Sequence, residues 1–284
     1  MYLKRIAYLI ITSLLIVSCE DDPDNSLTNA EIDLGIKTTL RVGMDTVISN
    51  ISTNRGFMYD THMQILLPHE GRVISELVDW YTQNANKYAR FRDLNIDLNY
   101  YYQKTILSLN VAAGYTALNM DTLFKLQINK LLYPNGLLIV SNKIMDGDST
   151  PITTCFKNAT IDTLYKNCFN AIKHELSIDV VGSNTNSNMY WADLLNKYNL
   201  IADNSRQILL ENAAVGGVLT DDKKEALRKF VSIPDTTILA NYITSAALDK
   251  IYYKIGEVEK QIRLNPKSWN GKSNGLIIQR VFGQ

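Results

Sequence analysis

The stretch that decides the fold is MDGDSTPITTCFKNATIDTLYKNCFNAIKHEL, residues 145–176. Thr150 stands where an N-cap belongs, and Pro151 takes the first helical position, where a missing N–H costs nothing. Neither Gly nor Pro interrupts the residues from Ile152 to Leu176, so one long helix is expected. At about 100° per residue, Ile152, Cys155, Phe156 and Ala159 share one face. Ile161, Leu164, Tyr165, Cys168, Ile172 and Leu176 gather on nearly the opposite one. A helix that changes its apolar side along its length needs partners on both flanks. The expectation is therefore an all-α protein, a multi-helix bundle around a long central helix at about 150–177.

Working outward, the same periodicity recurs. Thr28-Asn29-Ala30-Glu31 forms a capping box, followed by Ile32, Ile36, Leu40, Val47 and Ile51 on one side. Gly43 falls in that stripe, where a neighbouring helix can approach closely. Residues 57–68 read as irregular or extended, with Ile65-Leu66-Leu67 packing on the bundle before Pro68. A helix over 70–90 carries Val73, Leu77, Trp80 and Tyr81, and another runs from about 101 to 132 with a possible break at Gly114. Pro134-Asn135-Gly136 is a turn, and a short apolar helix spans 137–145. Residues 182–188, GSNTNSN, form a loop, followed by helices near 190–198, 205–214 and 220–230. The last long helix, about 236–264, has Leu239, Ile243, Ala247, Ile251, Ile255, Val258 and Ile262 in one stripe. Glu259 and Arg263 are four apart in the favourable order, which reads as an exposed pair. Pro266 ends that helix and 276–282 adds a short one. No strand alternation and no repeat emerges.

The chain opens differently. Lys4 and Arg5 precede an apolar run, Ile6–Val17, whose length suits a signal-peptide core better than a membrane span. The run ends Ile16-Val17-Ser18-Cys19, which resembles a bacterial lipobox, in which the cysteine is acylated and becomes the mature N-terminus. Residues 1–18 then form the signal peptide, Cys19 is the lipidation site, and 19–27 form a tether rich in acid (Glu20, Asp21, Asp22, Asp24). Residues 28–284 form a single all-α domain. Several acyl chains hold a protein stably, at about 0.8 kcal/mol per buried CH₂. The expected location is the bacterial cell envelope, as an outer-membrane lipoprotein facing the periplasm or exposed at the surface. The acidic cluster reads either as a surface-export signal or as a solvated spacer.

Charge and composition narrow the partners. The full chain balances 29 basic against 29 acidic residues; without Lys4 and Arg5 it carries 27 and 29, a net of about −2. No basic stripe invites nucleic acid. Sixteen tyrosines and three tryptophans leave room for a glycan- or protein-binding surface, beside the plainer reading of rings packed at the bundle edge. At least one of Tyr100, Tyr101 and Tyr102 must face outward on a helix.

Catalytic and metal chemistry find little footing. Asp146-Gly147-Asp148 begins like a calcium loop, but its twelfth position is Lys157 and its glycine position is Pro151. Asp60, His62 and His69 share one irregular segment without HExxH or CxxC spacing, and His174 is alone. There is no GxSxG elbow and no phosphate-binding loop. Glu257 and Glu259, two apart on a helix, point away from one another. Cys155 and Cys168 would lie about 20 Å apart on one helix, too far for a disulfide, so both are expected as buried thiols. No catalytic residue, cofactor or metal ligand is assigned.

Five segments carry a family resemblance: LTNAEIDLGIKTTLRVG (27–43), LLP (66–68), SLNVAAGYTA (108–117), MDGDSTPITTCF (145–156) and AALDKIYYKIGEVEKQIRLNP (246–266), closed by RVFG (280–283). In this order and over nearly the whole mature chain they resemble the bacterial lipoprotein family known as domain of unknown function 4197. Pro151 and Ile152 stand where that family usually has alanines, and Cys155 where it usually has tyrosine. The resemblance implies an α-helical lipoprotein and brings no activity or catalytic residue. The functional expectation is a lipid-anchored envelope protein, a non-catalytic binding or interaction module for an envelope protein or glycan. Its competitors are an envelope enzyme with a site built from distant helices, and a structural spacer.

Overall fold

The computed structural model describes residues 26–53, 57–58, 60–131 and 150–283. The expected signal peptide (1–18), Cys19 and most of the expected tether, and the turn, short helix and loop expected over 134–148 lie outside the described residues. Among the described residues nine α-helices and no strand are found, so the chain is an all-α bundle. They are α1 (Asn29–Thr53), α2 (His69–Asn84), α3 (Ala89–Leu94), α4 (Leu98–Lys130), α5 (Pro151–Glu175), α6 (Ser187–Ala214), α7 (Asp221–Arg228), α8 (Leu239–Leu264) and α9 (Gly275–Phe282). Short 3₁₀ turns follow α2 (Ala85–Lys87) and α8 (Pro266–Trp269).

Four long helices carry the main core. α8 packs on α1, α5 and α4, while α4 also touches α1, α2, α5 and α6. α5 thus has α4 on one flank and α8 on the other. Its change of side is gradual. Ile152, Phe156, Thr160, Leu164, Cys168, Ile172 and Leu176 are all buried, a four-residue step that drifts about 40° each time around the helix. Ala159 is exposed, and Thr160 occupies the inner position. Its hydroxyl can be buried because it donates to the Phe156 carbonyl at 2.7 Å and meets the Tyr252 hydroxyl at 3.1 Å.

The N-terminus of α1 forms as its sequence dictates. Glu31 Oε2 accepts from the Thr28 amide at 2.8 Å, and the Glu31 amide donates back to Thr28 Oγ1 at 3.2 Å. Ile32, Ile36, Leu40, Met44, Val47 and Ile51 are buried below it. At Gly43 a Cβ would stand 2.9 Å from Ile255 Cγ2, so the glycine is what lets α1 and α8 touch.

Four elements differ from the periodicity reading. α2 turns Ile74, Leu77, Val78 and Tyr81 inward, with Val73 and Trp80 at the edge. α4 continues through Gly114 unbroken, because neighbouring helices bury Ala112, Ala113, Gly114 and Ala117 together. α6 is one helix rather than the two expected near 190–198 and 205–214: Ile201, Ala202, Ser205 and Ile208 continue its inner face between them. In the 65–67 segment Ile65 and Leu67 are buried, while Leu66 points outward at 55% exposure, as an extended backbone requires.

The largest departure is at Glu259 and Arg263. The pair is fully internal, with Glu259 at 0% and Arg263 at 4% side-chain exposure. Thr150 sits at the N-cap position of α5, yet its side chain makes no capping bond. Glu259, reaching across from α8, does that work. Its carboxylate accepts from the Ile152 amide at 3.0 Å, the Thr153 amide at 2.8 Å and the Thr153 hydroxyl at 2.8 Å. Arg263 Nε donates to the same carboxylate at 2.9 Å. The guanidinium in turn lies over the Phe282 ring, 5.4 Å from its centroid. One buried carboxylate therefore joins α5, α8 and α9. We expect Glu259→Gln, which strands the arginine charge, to cost about 3 kcal/mol in chemical denaturation. Glu259→Gln combined with Arg263→Met should recover part of that loss.

Candidate functional site

The residues singled out in the sequence are not drawn together. Asp60 accepts from the His62 amide at 3.0 Å and pairs with Lys254 at 3.2 Å. Burial pushes the Asp60 carboxyl up, but the His62 amide and Lys254 more than offset it and hold it below the ordinary carboxylate range. The His62 ring stacks on Tyr253, with centroids 6.3 Å apart, and Lys250 Nζ donates to the His62 carbonyl at 2.7 Å. His69 opens α2, and His174 is exposed near the end of α5. Among the described residues no group of three His, Cys, Asp or Glu could hold a metal ion.

The thiols split. Cys168 is buried and Cys155 only half-buried, and the two form no disulfide. Burial pushes the Cys168 thiol up to about 12, so it is a protonated, unreactive core group at neutral pH. Glu257 is half-buried where Glu259 is fully enclosed, so the two carboxylates work apart.

The aromatic residues divide likewise. Trp80, Tyr81, Tyr88, Phe91, Tyr198 and Phe230 form a continuous cluster joining α2, α3 and α6, with ring centroids 5.3–6.2 Å apart. Burial pushes the Tyr198 phenol up to about 12, against a smaller opposing pull from the Val231 amide. Tyr100, at 46% exposure, is the outward member of its triplet, while Tyr101 and Tyr102 are half-buried.

The segment carrying Leu66, Leu67 and Pro68 is held by side chains from two helices. Asn110, wholly buried on α4, accepts from the Ile65 amide at 2.8 Å and donates to the Ile65 carbonyl at 2.9 Å, as a neighbouring strand would. Tyr242 on α8 donates its hydroxyl to the Leu66 and Leu67 carbonyls at 3.0 and 3.1 Å. This segment closes the bundle's flank; it does not form a reaction centre.

A cavity of about 430 Å³ is the candidate binding site. It opens between the C-terminal turn of α1 (Ile51, Ser52), the middle of α4 (Leu107, Val111, Gly114, Tyr115, Leu118) and Val180-Val181 beyond α5. Its walls are mostly aliphatic, and the Ser52 and Tyr115 side chains contribute hydroxyls. Ser52 already donates to the Ile48 carbonyl at 2.7 Å, and Tyr115 is 47% exposed at the rim. A cleft whose aliphatic side chains alternate with hydroxyl and other polar surface suits a small moiety with both apolar and polar groups. The sequence offered only weak notice of it, since Val111 and Val180 lie some 70 residues apart and meet only through folding.

The fold and this cavity define a helical-bundle protein with a partly aliphatic cleft. By its sequence the chain belongs to the family described as Protein of unknown function (DUF4197), whose model matches residues 26–283. Neither a curated protein nor a solved structure matches it. Filling the pocket with Val111→Trp should abolish fluorescence enhancement of a dansylated fatty acid while leaving helical circular dichroism unchanged. Undiminished enhancement would show that the probe binds elsewhere.

Proposed function

We propose that this protein is a lipid-anchored component of the bacterial cell envelope that works as a binding or interaction module without catalysis. The observation that carries the reading is the N-terminal sequence: a basic Lys4-Arg5 pair, an apolar run of signal-peptide length, and Ile16-Val17-Ser18-Cys19. On this reading residues 1–18 are removed, Cys19 takes palmitate or similar acyl chains, and 19–27 lead to a body that begins at Thr28. The described residues contain no helix long and apolar enough to cross a membrane. The acyl chains would then supply the membrane contact.

Support for binding over turnover comes from the pocket. Its aliphatic side chains and the Ser52 and Tyr115 hydroxyls can hold a small apolar group. The partner is an envelope protein, a glycan or a small apolar molecule in the outer membrane or periplasm. Labelling cells with alkynyl palmitate tests the anchor. Label should enter the wild-type protein and be absent from Cys19→Ala, whereas equal labelling of both would refute acylation at Cys19. Protease shaving of intact cells then distinguishes the two membrane faces, since only a surface-exposed body is cleaved.

A further inference from the structure

The C-terminal segment has a composition unlike the rest of the chain. From Lys260 to Gly283 there are five basic residues and no Asp or Glu. Arg263 is taken up by Glu259, and Arg280 Nε pairs with Glu31 at 3.2 Å. Lys267 and Lys272 stand exposed. Around them are two leucines that folding leaves in water, Leu264 at 65% and Leu276 at 86% exposure. Trp269 lies between, its ring partly buried against Val258, Ile262 and Ile278 and covered by Lys272 Nζ 3.9 Å from its centroid. The nearby acid Asp45 is engaged by Lys125 at 2.8 Å.

The position of this surface matters as much as its chemistry. Arg280 Nη2 also donates to the Ser26 carbonyl at 3.4 Å, so the C-terminal end of α9 lies beside Ser26, while Trp269 and Lys272 lie past its other end, along Val42–Asn50 of α1. Helix α9 is about 12 Å long. Seven residue steps separate Cys19 from Ser26, a reach of at most about 24 Å. An acyl group on Cys19 would hold this surface within contact range of the bilayer.

We propose that the surface formed by residues 264–276 seats on an anionic phospholipid bilayer, with Lys267 and Lys272 among the headgroups and Leu264, Leu276 and the edge of Trp269 at the acyl boundary. The inference rests on the lipid-anchor reading and adds the face that the body turns to the membrane. The acids of the tether are the competing occupant, and the two exposed leucines favour the bilayer, because carboxylates offer them nothing.

The test is flotation of the chain from residue 19, carrying Cys19→Ser and therefore no acyl group, with vesicles of phosphatidylglycerol and phosphatidylethanolamine. The protein should float with these, release as salt rises, and bind vesicles of phosphatidylcholine alone far less. Lys267→Glu with Lys272→Glu should lower the partition by roughly thirtyfold or more, at about 1 kcal/mol for each lysine lost. Leu264→Ser with Leu276→Ser should lower it as well, and all four sites are exposed enough to leave thermal unfolding unchanged. Failure to float, or equal flotation with both vesicle types, would overturn the proposal. So would flotation that appears only after Glu20, Asp21, Asp22 and Asp24 are neutralised, which would give the surface to the tether. Mass spectrometry of the cellular protein reads acylation of Cys19 separately, so an acylated protein with an inert surface would sink this proposal and leave the anchor standing.

Discussion

A single buried carboxylate sets the geometry of this bundle. Glu259 sits where the first amides of α5 have no partner within their own helix, and it satisfies two of them together with the Thr153 hydroxyl. A negative charge there also meets the positive end of the α5 dipole. Taking a carboxylate out of water is costly unless its lone pairs are filled, and here Arg263 and the α5 terminus fill them. The arrangement fixes the register between α5 and α8, because a slip of one turn would leave both the charge and the amides unmatched. Phe282 then covers the guanidinium and ties α9 to the same point.

Around that point the two ends of the described chain meet. Glu31, which closes the α1 capping box, also receives Arg280. Four of the segments that carry the family resemblance thus assemble into one structural unit: the start of α1, the start of α5, the second half of α8 and the closing Arg280–Gly283. Asn110 does a similar service on the other flank, standing in for a strand beside Ile65. These polar contacts are few, specific and internal. They bind elements that apolar stripes alone would leave free to slide.

Much of this was legible in the sequence, and the rest was hidden for definite reasons. The α1 capping box and the stripe from Leu239 to Ile262 depend on neighbours three or four residues away, which a helical reading sees directly. Glu259 and Arg263 share that spacing, so they resemble an ordinary surface pair; only the arrival of α5 shows that they are inside. Thr153 and Thr160 were missed as core positions because their hydroxyls look polar until their acceptors are known. The pocket was barely legible because its walls come from α1, α4 and the turn after α5, which meet only on folding. Lys267 and Lys272 were readable as residues but not as a surface, because Lys272 and Trp269 come to lie along Val42–Asn50 of α1 only when α9 folds back along that helix.

The claim on which the account leans most is that the Glu259 carboxylate holds the start of α5. Native-state hydrogen exchange of the Ile152 and Thr153 amides tests it directly, since in an ordinary helix the first-turn amides exchange early. The account predicts that both exchange only through global unfolding, as slowly as the core of α8. Exchange of either amide at the rate of a frayed helix end would contradict it.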